Sequence, residues 1–225
     1  MNANTLFQIA TWLVPLIIAI VFHEIAHGLV ARRLGDRTAE ERGRLSLNPI
    51  RHVDPFGTLI LPLILAISHA PIFGWAKPVP VNYRRLHSPR RDMVLVALAG
   101  PGMNLLLAIV GAAVLAVALS FSSDPNGLAT TLIAGNALNF VLINLFLAVF
   151  NLLPIPPFDG GHVVQGLLPP PLAQSFGKIG RYALLVLVVL LLVLPMLGIN
   201  VVGHLVSPLV DRLATGLLGL FGLRA

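Results

Sequence analysis

The chain has 225 residues, of which 56% are hydrophobic and only 11% charged, with a mean hydropathy of +0.89. A soluble domain of this length holds roughly a quarter of its residues as charges, so the composition excludes one and describes a polytopic membrane protein, a single domain over residues 1–225. Zero cysteines exclude disulfides, iron–sulfur ligation and thiolate zinc sites, and the +6 formal charge is gathered in particular loops, which points to membrane orientation rather than nucleic-acid binding.

The first apolar stretch, Leu6 to about Val30, is long enough at about 1.5 Å per residue to cross a hydrocarbon core of roughly 30 Å. It has no basic segment before it and runs straight into the pentapeptide HEIAH, so it reads as a retained span rather than a cleaved signal. HEIAH puts His23, Glu24 and His27 where a membrane helix should hold no ionisable group unless something compensates for its burial. On a helix, positions i and i+4 share a face. His23 and His27 can therefore aim at one zinc ion while Glu24 meets its water.

Residues 32–92 read as two polar loops flanking an apolar segment. Residues 32–55 hold six arginines, Arg32, Arg33, Arg37, Arg42, Arg44 and Arg51, and the alternation in GRLSLNPI predicts a short strand. Segment 56–73 is apolar but interrupted by Pro62, Ser68, His69 and Pro71. GWAKPVPVNYRRLHSPRR follows, with Lys77, Arg84, Arg85, Arg90 and Arg91. Eleven of the fifteen Lys and Arg lie in these two loops, which the positive-inside rule assigns to the cytoplasm. The segment between them is then a re-entrant hairpin, and the strand-like VPVN at 79–82 offers an edge to an extended peptide.

Two clear spans, 93–121 and 128–153, are joined by SSDPNG, which has no basic residue. A fourth, 179–197, starts beside Lys178 and Arg181. The tail, 199–225, is an interfacial helix or a fifth crossing, and Asp211 with Arg212 favours the former. With the amino terminus outside, this order brings Asp159, in NLLPIPPFDGGH, to the same face as HEIAH. Pro154, Pro156 and Pro157 end the third span, and Gly160 and Gly161 permit unusual backbone, so the helix unravels where the carboxylate appears. A catalytic zinc needs three protein ligands and one open position, and Asp159 is the candidate third. His162 stays outside the metal set. His52 and Asp54 read as a hydrogen-bonded turn, His69, His87 and His204 as structural or exposed, and Gly111 and Gly135 as points of close helix packing.

Taken together, HEIAH, GRLSLNPIRHVDPFGT, FGWAKPVPVN, AGPGMN (Ala99 to Asn104) and NLLPIPPFDGGH resemble the site-2 protease family (M50) of intramembrane zinc metalloproteases, in its compact prokaryotic form without PDZ or CBS domain. The resemblance covers residues 23–162. It implies an all-α polytopic fold of about four to five transmembrane helices, with a three-helix catalytic core, a re-entrant hairpin and minor β elements. It also implies one Zn2+ per chain on His23, His27 and Asp159, Glu24 as the acid/base, and transmembrane protein substrates cut in the lipid bilayer of the cell membrane near its cytoplasmic face. Asn104, after Gly100 and Pro101 on the middle span, is the candidate for an oxyanion or substrate contact. Two other classes compete. A metal transporter would place ligands along a route through the bilayer, whereas these gather at one end; a non-catalytic membrane-binding homologue would have lost Glu24 or a ligand.

Overall fold

The computed structural model describes residues 3–68, 74–122, 124 and 127–223, with side chains from Thr11 onward and Ala66 excepted. Six helices matter for the site: α1 (Ala3–Arg33), α2 (Pro89–Ser120), α3 (Leu128–Asn151), α4 (Asp159–Leu167), a helical run α5 (Pro170–Met196) and α6 (Ser207–Leu220). Four stretches, Thr11–Arg33, α2, α3 and α5, are long and apolar enough to cross a membrane. Their outward faces keep large apolar side chains exposed, Trp12, Ile17, Leu106, Val117 and Ile133 among them, as a lipid-facing surface requires.

α2 begins four residues before the expected span. Ser88 and Pro89 open it, and Asp92 reaches back to accept the Ser88 N–H at 2.7 Å, so a polar first turn extends the apolar helix. α1, α2 and α3 pack on one another, with α2 antiparallel to the other two. At one end the Asn139 side chain of α3 donates to the Thr11 carbonyl of α1 at 2.9 Å. Deeper in, Asn104 of α2 bridges α1 and α3. Gly111 is a point of close approach, since a Cβ there would lie 2.9 Å from Phe140, whereas Gly135 has its nearest neighbour, Thr11, at 3.8 Å and no need to be small.

The apolar segment after residue 55 turns back on itself. Asp54 accepts the N–H groups of Phe56 and Gly57 at 3.1 and 2.6 Å, capping a helical stretch that runs through Pro55–Ile60 and Leu61–Ile67. The chain then returns beside its own start: Trp75 N–H donates to the Gly57 carbonyl at 3.1 Å and Lys77 N–H to that of His52 at 2.8 Å. The described ends of the segment are thus hydrogen-bonded to each other, the arrangement a re-entrant hairpin needs. His69 and the neighbouring residues up to 73 lie outside the described residues, as do Ser123, Pro125 and Asn126 of SSDPNG.

One expectation is corrected. No strand forms among the described residues: GRLSLNPI is a series of bends leading into a 3-10 turn at Pro49–His52, and 79–82 is extended without a ladder partner. The alternation there reflects which side chains face inward, not pairing. The tail packs on the bundle: Val206, Val210, Ala214 and Leu218 form an i, i+4 stripe buried in one core with Ala108, Ala112, Val141 and Leu145 of α2 and α3, which suits an interfacial helix and a fifth crossing alike. Asp211 and Arg212 sit off that stripe and stay exposed.

Candidate metal centre

His23 and His27 are buried, at 7% and 8% exposure, on the face of α1 that α2 covers. From Nδ1, His23 donates to Asn104 Oδ1 at 2.6 Å and His27 to the Val96 carbonyl at 2.7 Å. The Asn104 amide is itself oriented, since its Nδ2 donates to Asn144 Oδ1 at 2.8 Å and to the Ala19 carbonyl at 3.3 Å. Asn144 in turn donates to the Phe140 carbonyl at 2.8 Å. Each acceptor can only accept, so both neutral rings carry their proton on Nδ1 and present a bare lone pair at Nε2. Gly100 of α2 leaves the space in front of them: a Cβ there would stand 2.4 Å from His27 Nε2 and 2.5 Å from His23 Cε1.

The carboxylate comes from the corner between α3 and α4. After Asn151 the prolines prevent helix, and single turns closed by Ile155 N–H to the Leu153 carbonyl and Phe158 N–H to that of Ile155 fold the chain tightly. Phe158 anchors the corner in the core, its ring edge-on to Phe150 at 4.6 Å. Gly160 lies flat on the returning backbone, where a Cβ would be 2.3 Å from the Leu152 carbonyl oxygen. Asp159 therefore becomes the first residue of α4. Its Oδ2 lies 3.3 Å from His23 Nε2 and 3.4 Å from His27 Nε2, and the two Nε2 atoms are 3.0 Å apart.

Three electron-pair donors thus face one another with no hydrogen between them. Asp159 Oδ2 is buried and accepts no hydrogen bond, an arrangement costly enough to require a cation. Tetrahedral bonds of about 2.0–2.1 Å have edges of about 3.3–3.4 Å, close to the observed separations, and two imidazoles with one carboxylate are zinc donors. These three residues can hold a metal, and their ligand atoms all lie within 4.8 Å of one another.

Glu24 is one residue round from His23. Its Oε2 accepts the backbone N–H of Val79 at 2.6 Å, from the extended stretch that follows the hairpin. Val79 is buried against α1 where Gly28 leaves room for it. With that N–H engaged, and Pro78 and Pro80 having none, VPVN has few donors for pairing with a peptide. Asn104, the candidate for an oxyanion or substrate contact, is 0% exposed behind His23, with both amide hydrogens engaged by Asn144 and the Ala19 carbonyl.

His162 is exposed one turn beyond Asp159 and outside the ligand group. His52 is buried at the end of the 3-10 turn Pro49–His52, its Nε2 against the Ser46 carbonyl at 2.8 Å, while Asp54 caps the helical stretch that follows. His87 and His204 are exposed, the latter bonded to the Asn200 carbonyl. Sequence reasoning missed the Val79 N–H, the Val96 carbonyl and Asn144. A backbone group leaves no mark of its own in a sequence, and one asparagine in an apolar helix marks only some buried polar tie.

The profile of peptidase family M50 matches residues 11–137 and 126–194. A Bacillus subtilis (strain 168) protein named "Putative zinc metalloprotease YwhC" is 40% identical over 177 residues, 79% of this chain and 78% of that one. The same description is borne by Rip2 of Mycolicibacterium smegmatis, 33% identical over 82% of this chain and 66% of its own length. It is also borne by MJ0611 of Methanocaldococcus jannaschii, 32% identical over 71% of this chain and 73% of its own. No solved structure matches the chain significantly. On this match and the motifs set around its site, the chain belongs to peptidase family M50, the zinc metalloproteases of site-2 type.

Proposed function

We propose that His23, His27 and Asp159 hold the catalytic zinc of this multi-pass membrane metalloendopeptidase, and that it hydrolyses peptide bonds in or near transmembrane segments of other membrane proteins. The observation that carries the reading is the convergence of two Nε2 lone pairs and an orphaned carboxylate oxygen among three apolar helices. Bound there, zinc supplies Lewis acidity that polarises a peptide carbonyl and acidifies water.

The protein's own groups do the rest. Val79 N–H holds Glu24 Oε2, which leaves Oε1 to take a proton from the attacking water and deliver it to the departing amine. Asn104 and the Val96 carbonyl fix the imidazole tautomers, so both Nε2 atoms stay available without rearrangement. The basic loops around the hairpin support a site near the cytoplasmic face of the cell membrane. A membrane helix has its peptide groups tied in internal hydrogen bonds, so a substrate segment must unwind locally before attack. The helical stretch 55–67 and the returning residues 74–77 serve as the re-entrant element beside the site.

Glu24→Gln tests the assignment. Purified variant should keep about one zinc per chain while cleavage of a membrane-embedded model substrate falls by about 100-fold or more. Cleavage at the wild-type rate, or full activity in protein shown to lack zinc, would overturn it.

A further inference from the structure

At the end of the bundle that carries the site, α2 and α4 lie side by side and leave between them an open cleft of about 560 Å3. Its floor is apolar, from Val94, Leu95 and Leu167, and its rim carries Arg90 and Arg91. The two arginines differ. Arg90 is spent on protein, with Nε donating to the Gly166 carbonyl at 2.7 Å and its guanidinium also bound to the Leu168 carbonyl. Arg91 is exposed and has no hydrogen bond or ion pair to any described residue. It stands two residues before Met93, where the apolar part of α2 begins, which is headgroup depth for a membrane helix.

We propose that this cleft binds one anionic phospholipid, its phosphate paired with Arg91 in the field of Arg90 and an acyl chain laid over Val94, Leu95 and Leu167. Charge complementarity and the mixed lining select this occupant. A soluble anion has no use for the apolar floor, on which Leu95 and Leu167 are 42% and 72% exposed. An extended peptide would find no unpaired backbone edge, since both walls are helices. A zwitterionic lipid would bring its own cation to a rim already positive.

The cleft also joins the two halves of the candidate metal centre. α2 carries Gly100 and Asn104, α4 starts at Asp159, and the helices come so close at Gly166 that a Cβ there would lie 2.2 Å from Val94 Cγ2. A lipid seated across this seam ties the helices together and stabilises the fold whether or not zinc is bound.

The test is retention of phosphatidylglycerol by the purified full chain, read by native mass spectrometry in detergent, alongside the shift in thermal unfolding midpoint on adding phosphatidylglycerol or phosphatidylcholine. Wild type should retain phosphatidylglycerol in preference to phosphatidylcholine and be stabilised by it. Arg91→Gln should bind it about fivefold more weakly, the factor that corresponds to about 1 kcal/mol per interfacial basic residue. Arg84→Gln, an exposed arginine outside the cleft, should bind as wild type. Leu167→Ser should weaken phosphatidylglycerol binding too. Equal retention by Arg91→Gln and wild type, equal retention of the two lipids, or displacement of phosphatidylglycerol by millimolar inorganic phosphate would each overturn the proposal. None of these readouts depends on zinc or on cleavage.

Discussion

His23 and His27 stand on an unbroken helix and owe their aim to side chains and a carbonyl behind them, whereas Asp159 opens a short helix and owes its aim to backbone packed on backbone. Behind the imidazoles lie Asn104 and the Val96 carbonyl, with Gly100 in front. Behind the carboxylate are the Leu152 carbonyl, on which Gly160 rests, and Phe158 sunk in the core. In the first half, geometry is set by hydrogen bonds that can be removed while the helix stays. In the second, geometry and folding of the corner are the same thing.

The largest effects should expose this contrast directly. Gly100→Val places a side chain where the two Nε2 atoms meet, and the atoms nearest its Cβ belong to imidazole rings rather than to backbone, so the rings must break their Nδ1 bonds and turn while the helices keep their course. Zinc content and cleavage should both vanish while the thermal midpoint stays close to wild type. Gly160→Ala collides instead with the Leu152 and Leu153 carbonyl oxygens, at 2.3 and 2.5 Å. Backbone has to move, so zinc binding should weaken together with stability, by about 1–3 kcal/mol. Metal analysis and thermal unfolding on the two variants decide the matter, and equal loss of stability in both would erase the distinction.

Smaller and confined to the first half is Asn104→Ala. Removing the acceptor for His23 Nδ1–H frees the ring without touching a ligand, and zinc affinity should fall by about 10–100-fold. Were Asn104 instead an oxyanion donor, the same variant would keep wild-type zinc affinity and lose turnover alone. Competition with a chelator separates the two.

The same contrast explains what could be read from the chain alone. HEIAH announces itself because i, i+4 spacing puts both histidines on one helical face, and the spans follow from uninterrupted apolar length. Asp159 was legible because prolines and glycines mark a broken helix, although the broken helix could not say where the carboxylate would point. Charge distribution pointed to a returning hairpin, and the Lys77 to His52 bond brings the described ends of that segment together. The strands expected at GRLSLNPI and VPVN failed for one reason. A period of two shows that alternate side chains share a face, and bends or an extended segment on a helix meet that as well as a ladder does. Asn104 was visible as an oddity in an apolar helix, but whether it faced the substrate or the back of His23 depended on α1 and α3 together.

The Val79 N–H belongs to neither half and sharpens the view of Glu24. Val79→Pro deletes the donor and Val79→Ala keeps it, so the two differ in one hydrogen bond to a charged group, worth about 1.5–3 kcal/mol. Cleavage by the proline variant should drop by about 10–100-fold relative to the alanine variant at unchanged zinc content. Equal rates would mean that Glu24 is oriented by something else.

The smallest expected effect lies outside the membrane, where the loop after α1 is tied to the residues that lead into α2. Burial alone would raise the Asp36 carboxyl above its ordinary pKa. The Thr38 hydroxyl at 2.5 Å and the N–H groups of Asn82 and Thr38, at 2.5 and 3.0 Å, outweigh it and hold the group below the usual carboxylate value. A depressed folded-state pKa means that this tie contributes its full stability above the unfolded-state value, about 3.9, and loses it as pH falls through the lower folded value. The wild-type thermal midpoint should therefore decline as pH drops below about 4, and Asp36→Asn, which has no proton to gain, should start lower and decline less. Parallel declines would show that the acid sensitivity of the fold does not lie in the Asp36 tie.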